Sequence, residues 1–357
     1  MAKQAHSKDT GDSTERAPVS LYRKYRPNTF AEVRGQEAVV TVLEAAIKNK
    51  KIAHAYLFAG GRGTGKTSMA RILAHALGTA EEDIYEMDAA SNRGIDEIRA
   101  LRDGVSTLPF NSAYKFYIID EAHALTKDAW GALLKTLEEP PAHVIFVLAT
   151  TELDKVPETI ISRCQVFVFT NPTIEILKDL ILDVTKKEGI NITPAAAELV
   201  ALMGDGSFRD TLGILQKVLT ISSDTKLTEE EVAKVVGAPS GQIVNQFLEA
   251  VALKQPGEAI SSFHKAIAAG SQPAVFIMLA MQKVRGVLLL RFQPNADDSL
   301  AVQFSADDIT YLKDLAGIKG AAINAEVLAQ LITAYVETAR APLPQVPLEL
   351  ALYRLFA

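Results

Sequence analysis

Gly60-Gly61-Arg62-Gly63-Thr64-Gly65-Lys66-Thr67 fits the pattern G-x-x-x-x-G-K-[ST], and it falls between a short apolar run and a helix-like one. The chemistry needs these residue types at this spacing. Glycines let backbone N–H groups turn inward around phosphate oxygens, and the helix that follows presents its positive N-terminal end to them. Lys66 then reaches the terminal phosphates, Thr67 offers a hydroxyl to Mg2+, and Ser68 is the next residue of the phosphate loop. The stretch predicts a nucleoside triphosphate site.

Working outward, His54–Ala59 is a strand candidate entering the loop, and Ser68–Leu77 carries helical apolar spacing after it. Further strand-like runs follow at Ile84–Asp88, Tyr114–Asp120 and Val144–Ala149, separated by helical patterns. That alternation predicts an α/β P-loop domain over residues 19–170, with a parallel sheet, helices on both faces and ligands at the carboxyl ends of the strands. Pro140-Pro141 ends the helix before the last of these strands. After Asn171-Pro172 the strand-like runs disappear. Thr193-Pro194 reads as a cap followed by proline at the first helical position, and Thr228-Glu229-Glu230-Glu231 as a capping box, so residues 171–236 form a small helical domain. Residues 237–357 are helical again, broken near Gln293 to Ser299, with a further capping signature at Ser305-Ala306-Asp307-Asp308. Val275–Leu290 is apolar over a wide arc, which suits burial against other helices of the chain or against other subunits.

Composition narrows the possibilities. With 357 residues and 48% hydrophobic content, the chain can bury at least one sizeable core. A net charge of -6 argues against coating nucleic acid through bulk positive charge, so any DNA contact must be local. Cys164 is the only cysteine, which rules out an intramolecular disulfide and a cysteine-rich zinc site. Residues 1–18 are polar and charged, the composition of a disordered tail, and no apolar run approaches 18 uninterrupted residues. The expectation is a soluble cytoplasmic protein without a membrane partner.

The second half of the nucleotide site is legible at Ile118-Ile119-Asp120-Glu121-Ala122-His123, an apolar strand ending in two carboxylates. Asp120 suits the Mg2+ shell, and Glu121 suits the water that attacks the γ-phosphate. His123 is assigned no chemistry. The hydroxyls of Thr150-Thr151 are placed to orient water or read the γ-phosphate, though such pairs also end strands for no chemical reason. Arg163 lies in a polar gap, equally a surface ion-pair partner or a finger reaching a neighbouring subunit's phosphate. Arg209 opens a helix and is equally a lid contact or an ordinary helix-start arginine.

Together these residues closely resemble the bacterial DNA polymerase III gamma/tau family. The resemblance rests on Leu21-Tyr22-Arg23-Lys24-Tyr25-Arg26-Pro27 with Phe30 and Gly35-Gln36, the phosphate loop, Asp88-Ala89-Ala90-Ser91-Asn92, Asp120-Glu121-Ala122-His123, Leu133–Pro141, Ala149–Glu152 and Ser162-Arg163-Cys164. It is most specific in the first 210 residues and rests on length and helical character beyond Gly237. It implies an AAA+ ATPase, the motor of the sliding-clamp loader, using ATP and Mg2+ within a hetero-oligomer of clamp-loader subunits that engages the clamp and primer-template DNA. Self-assembly of the isolated chain is left open. It implies that Arg163 acts in trans as an arginine finger, that Thr151 rather than Thr150 is the sensor-1 residue, and that Arg209 is sensor 2. It also implies that Leu21, Tyr25, Arg26, Pro27 and Val33 line the adenine pocket, and that a helix starting near Ser91 faces DNA with Arg93 and Arg99 as phosphate contacts.

Two departures qualify it. Family members usually carry a four-cysteine zinc module where this chain has only Gly78-Thr79-Ala80-Glu81-Glu82-Asp83, so zinc is not expected. The chain ends at Ala357, near the end of the family's third, collar domain, so a tau-type extension is not expected either. Two rival readings are a clamp-loader scaffold without turnover and another AAA+ motor such as a branch-migration helicase. Intact Lys66, Thr67, Asp120 and Glu121 speak against the first, and the missing winged-helix signature speaks against the second.

Overall fold

The structure, a computed structural model, describes residues 20–221, 226–293, 300, 304, 306–318 and 320–356. The expected tail at 1–18, most of the break at 293–299 and the capping serine at 305 lie outside them.

Five strands form one parallel sheet: β1 (Ala55–Gly60), β2 (Ile84–Asp88), β3 (Lys115–Asp120), β4 (Val144–Thr150) and β5 (Gln165–Phe169), in the order β2-β3-β4-β1-β5. The inner strands β1, β3 and β4 are continuous apolar runs because both faces are covered. Leu57, Tyr117, Ile119, Phe146 and Leu148 point to one face, against Ile98, Trp130, Leu133 and Leu137 from the helices Ile95–Val105 and Lys127–Glu138. Their neighbours Tyr56, Phe58, Phe116, Ile118, Ile145 and Val147 point to the other, against Val39, Leu43, Met69 and Leu73 from Glu37–Lys48 and Lys66–Ala76. The period-two alternation of a strand thus sorts one apolar run into two cores. Each of these fully buried large side chains contributes about 1.5–3 kcal/mol relative to exposure.

Strand order decides the site. β4 lies between β1, which enters the phosphate loop, and β3, which ends in Asp120. Ala59 pairs in register with Thr150, so the residues just past β4 sit between the phosphate loop and the carboxylates.

The next segment packs the helices Ile174–Lys187, Pro194–Met203, Phe208–Ile221 and Glu229–Val236 around Leu177, Ile181, Val200, Leu215 and Val232. Thr193 caps with Pro194 at the first position, and Thr228 with Glu231 forms a reciprocal capping box, as the spacing predicts. Strand structure does not wholly vanish here. Asn191–Ile192 and Lys226–Leu227 form a two-residue parallel pair, too short for periodicity to reveal.

A separate cluster joins the helices Gly241–Ala252, Pro256–Ala268, Pro273–Phe292, Ala306–Gly317, Ala325–Thr338 and Val346–Phe356. Pro273–Phe292 runs through it. Among the described residues this helix alone is long and apolar enough to cross a membrane, with a mean hydropathy of 1.6. Half of it is buried against its neighbours, and Lys283 on it is buried with bonds to Asn245 Oδ1 at 2.7 Å and Asp308 Oδ1 at 2.6 Å. The buried half of it is covered by helices of the same chain.

The segment Gly78–Asp83, where zinc is not expected, has its own device. Asp83 is fully buried, and its carboxylate accepts the N–H groups of Phe110 at 2.6 Å and Asn111 at 3.0 Å, while Ala80 N–H donates to Ser112 Oγ at 2.8 Å. These bonds, outweighing burial, hold the Asp83 carboxyl below its ordinary range. They fix a loop whose Leu108 and Phe110 are each 77% exposed.

Candidate active site

A cleft of about 850 Å³ opens where the carboxyl ends of β1 and β3 meet the helical segment that follows the sheet. Its lining holds seven Arg and Lys side chains against three carboxylates, a cationic concavity in a chain of net charge -6. That charge fits a polyanion such as a nucleoside triphosphate.

The phosphate loop forms the floor. Gly60 comes within reach of β5 so closely that an added Cβ would lie 2.3 Å from Phe169 O. Gly63 has φ of +70°, and a Cβ there would lie 2.1 Å from Ser207 Oγ. Gly65 caps the helix Lys66–Ala76, whose N-terminal N–H groups face the cleft. Thr64 is buried and donates to Gly61 O at 2.9 Å, and Arg62, Gly63, Thr64, Gly65, Lys66, Thr67 and Ser68 all line the cleft. Gly60 and Gly61 lie one step behind, as acceptors for the lysine: Lys66 Nζ donates to Gly60 O at 2.8 Å and Gly61 O at 2.7 Å. Burial pushes the Lys66 ammonium below its ordinary value, and the facing Glu121 and Asp120 carboxylates oppose that shift.

Thr67 Oγ1 donates to Asp120 Oδ2 at 2.7 Å, so the two residues expected to hold Mg2+ meet although 53 positions separate them. Two oxygen donors beside a phosphate loop fit a hard cation that keeps waters and takes its remaining ligands from phosphate. Among the described residues no group of three or more His, Cys, Asp or Glu side chains is set to hold a metal ion.

Glu121 lines the cleft with a left-handed backbone, φ 49° and ψ 41°, a conformation costing a non-glycine residue about 1–2 kcal/mol. Its N–H donates to Asp120 Oδ1 at 2.9 Å, and Thr151 Oγ1 donates to its Oε2 at 3.2 Å. Of the two threonines, Thr151 reaches Glu121. Thr150 is fully buried and turns to His123 Nδ1 at 3.2 Å.

The roof comes from the helical segment. Phe208 N–H donates to Gly63 O at 3.0 Å, which seats the start of Phe208–Ile221 on the phosphate loop and brings Arg209 into the cleft near Lys66. Tyr25, Arg26, Pro27 and Val33 line the opposite wall, with Arg26 Nε donating to Ser68 Oγ at 2.9 Å. Arg26 is pushed down by burial first and by the nearby Arg71 second.

Two expected positions differ. Leu21 does not line the cleft. Its side chain is buried in the helical core around Leu177, and its N–H donates to Gln216 Oε1 at 2.7 Å, because the short helix Leu21–Lys24 turns its apolar side to that core. Arg93 is not on a helix. Asp88 ties down the turn through Ala90 N–H and Ser91 Oγ, Arg93 O accepts Thr126 N–H, and the helix starts only at Ile95 with Gly94 at its N-cap. Arg99 is on that helix, exposed and paired with Asp96 at 3.2 Å. Arg163 lies outside the cleft of its own chain, paired with Glu138 at 2.8 Å and donating to Thr159 O at 2.7 Å. The sequence reading missed Arg71, which lines the cleft one turn after Thr67 and pairs with Glu86 at 2.6 Å; helical spacing from Thr67 was the available signal. It also missed Asn171, whose Oδ1 packs over Gly61.

A parallel sheet in this order, with a phosphate loop after β1, a carboxylate pair after β3 and a helical segment closing over the nucleotide cleft, defines a P-loop protein of the AAA+ class. Comparison with known proteins agrees. The solved Thermotoga maritima RuvB Holliday junction branch migration motor shares the fold, with a TM-score of 0.51 and 24% identity over 64% of this chain and 79% of that one. The family model described as DNA polymerase III, delta subunit matches residues 35–94 and 81–173, and the one described as DNA polymerase III subunits gamma and tau domain III matches residues 227–357. DNA polymerase III subunit tau of Bacillus subtilis is 38% identical over 302 residues, covering 79% of this chain and 54% of the relative. DNA polymerase III subunit gamma/tau of Mycobacterium tuberculosis is 34% identical over 348 residues, 91% of this chain and 59% of the relative. The chain belongs to the DNA polymerase III gamma/tau subunit family. It spans little more than half the length of these relatives.

Proposed function

We propose that this protein is an ATPase subunit of the DNA polymerase III clamp loader, coupling ATP binding and hydrolysis to loading of a sliding clamp onto primed DNA. The observation that carries this reading is the convergence of Lys66, the Thr67–Asp120 pair, the Glu121–Thr151 pair and Arg209 on one cationic cleft in a gamma/tau family chain. In it, Lys66 exchanges two carbonyl partners for phosphate oxygens, and Arg209 joins it from the roof. Thr67 and Asp120 would hold Mg2+, which would supply charge neutralisation at the phosphates. Glu121 orients the attacking water, with Thr151 steadying its carboxylate.

Arg163 acts on a neighbouring subunit's nucleotide, and its pairing with Glu138 outside its own cleft supports a role in trans. ATP thus selects the assembled form, and hydrolysis releases it. The partners are other clamp-loader subunits, the clamp and primer-template DNA, met through Arg99 and the Arg93 turn, in the cytoplasm. Hydrolysis measured with and without clamp and primed DNA tests the reading: the expected result is stimulation by both together, abolished by Lys66→Ala and cut on the order of 100-fold or more by Arg163→Ala in the assembled complex. No stimulation would remove the clamp-loader assignment, and full activity of Arg163→Ala would remove the finger.

A further inference from the structure

His123 carries no assigned role in the site above, yet its surroundings are built. The ring is 17% exposed between the ends of β3 and β4. Nδ1 lies 3.2 Å from Thr150 Oγ1 and 3.5 Å from Glu121 Oε2, while Nε2 lies 3.2 Å from Glu152 Oε1. Glu152 pairs with Lys155 at 2.6 Å, and its own N–H donates to Thr150 Oγ1 at 3.0 Å. A lysine, a carboxylate, an imidazole and a second carboxylate therefore follow one another from the surface to the cleft. A ring that merely fills space has no need of a carboxylate at each nitrogen.

The position matters because Glu121 is held at two ends. Its backbone is fixed in the left-handed region, and its Oε2 is bonded by Thr151 and faced by His123. That leaves Oε1 to meet a water in the cleft. We propose that His123 is a positioning residue for Glu121: oriented by Glu152 and Thr150, its Nδ1 side holds Oε2 so that Oε1 is aimed at the attacking water. The inference rests on the reading of Glu121 as the residue that activates water.

Misplacing a reacting group by about 1 Å costs on the order of 100-fold, and Thr151 keeps part of the hold. His123→Ala is therefore expected to lower kcat about 10-fold, with KM and the affinity for a fluorescent ATP analogue within about twofold of the parent. His123→Asn, whose amide overlays the Nδ1 side of the ring, is expected to recover most of the loss. The measurements use the full chain with clamp, primed DNA and partner subunits, beside Glu121→Gln. A parental kcat for His123→Ala overturns the inference alone. An equal loss in His123→Ala and His123→Asn, accompanied by lost analogue binding, assigns the ring to structure only and also overturns it. Parental hydrolysis by Glu121→Gln overturns the reading of Glu121 itself, and this inference with it.

Discussion

Glu198 gives the sharpest physical test of the helical half. It lies on Pro194–Met203 with its side chain 19% exposed, facing Lys178 at 3.3 Å. Burial pushes its carboxyl up to about 7 from an ordinary 4.5, Lys178 opposes that shift, and the Asp308 and Glu229 carboxylates add to it. Asp308 belongs to Ala306–Gly317 and also holds Lys283, so the cluster joins the two helical regions. Because the folded value lies above the unfolded one, the folded chain keeps a proton between pH 4.5 and 7 that the unfolded chain releases. The stability from this proton is present below pH 4.5 and is lost as pH rises through 7. At 1.36 kcal/mol per pH unit the loss is about 3 kcal/mol. Glu198→Gln removes the titration but also Lys178's partner, which leaves a net gain of about 1–3 kcal/mol at pH 8 and little at pH 4.5. At about 2 °C per kcal/mol for a chain of this size, Tm at pH 8 should rise by about 2–6 °C. Thermal unfolding of parent and variant across pH 4.5–8.5, followed by far-UV circular dichroism, reads this directly. A Tm difference that is flat with pH, or largest at the acid end, refutes the account of Glu198.

Other outcomes follow from the cleft and its supports. Lys66→Ala should weaken ATP binding by about 10- to 100-fold in calorimetry, since a charge-assisted contact is worth about 1.5–3 kcal/mol, while the far-UV spectrum is unchanged. Gly63→Ala must adopt a positive φ and push Ser207 away, so it should cost about 2 kcal/mol or more and loosen the roof; unchanged nucleotide affinity and Tm would contradict the contact with Ser207. Asp83→Ala strips the Phe110 and Asn111 N–H groups of a charged acceptor through two part-buried hydrogen bonds, about 2–3 kcal/mol, and should make the segment around Leu108–Phe110 a preferred site of limited proteolysis.

Much of this was readable because it is local. The phosphate loop, the strand ending at Asp120 and the Thr228–Glu231 box are set by residue type and spacing, and all form where their spacing puts them. Errors came where a distant partner decides. The family resemblance puts Leu21 in the adenine pocket, but the core around Leu177 claims it. The resemblance puts Arg93 on a helix, but Asp88 bonds the turn before it and the helix starts only at Ile95. Asp83 reads as one more acidic residue, and only the returning loop at Phe110 and Asn111 makes it an anchor. His123 shows the same limit: three of its neighbours, Thr150, Glu152 and Glu121, converge only after β3 and β4 are side by side.

The bond from Phe208 N–H to Gly63 O has a mechanical consequence. It pins one end of Phe208–Ile221 to the phosphate loop, while Leu215 and Val218 further along the helix pack into the core around Leu177. At 1.5 Å per residue, this helix of 14 residues is a lever about 21 Å long, so a tilt of about 10° at Gly63 sweeps its far end through about 4 Å. A small adjustment at Gly63 thus becomes a displacement of about 4 Å at the far end of the helix.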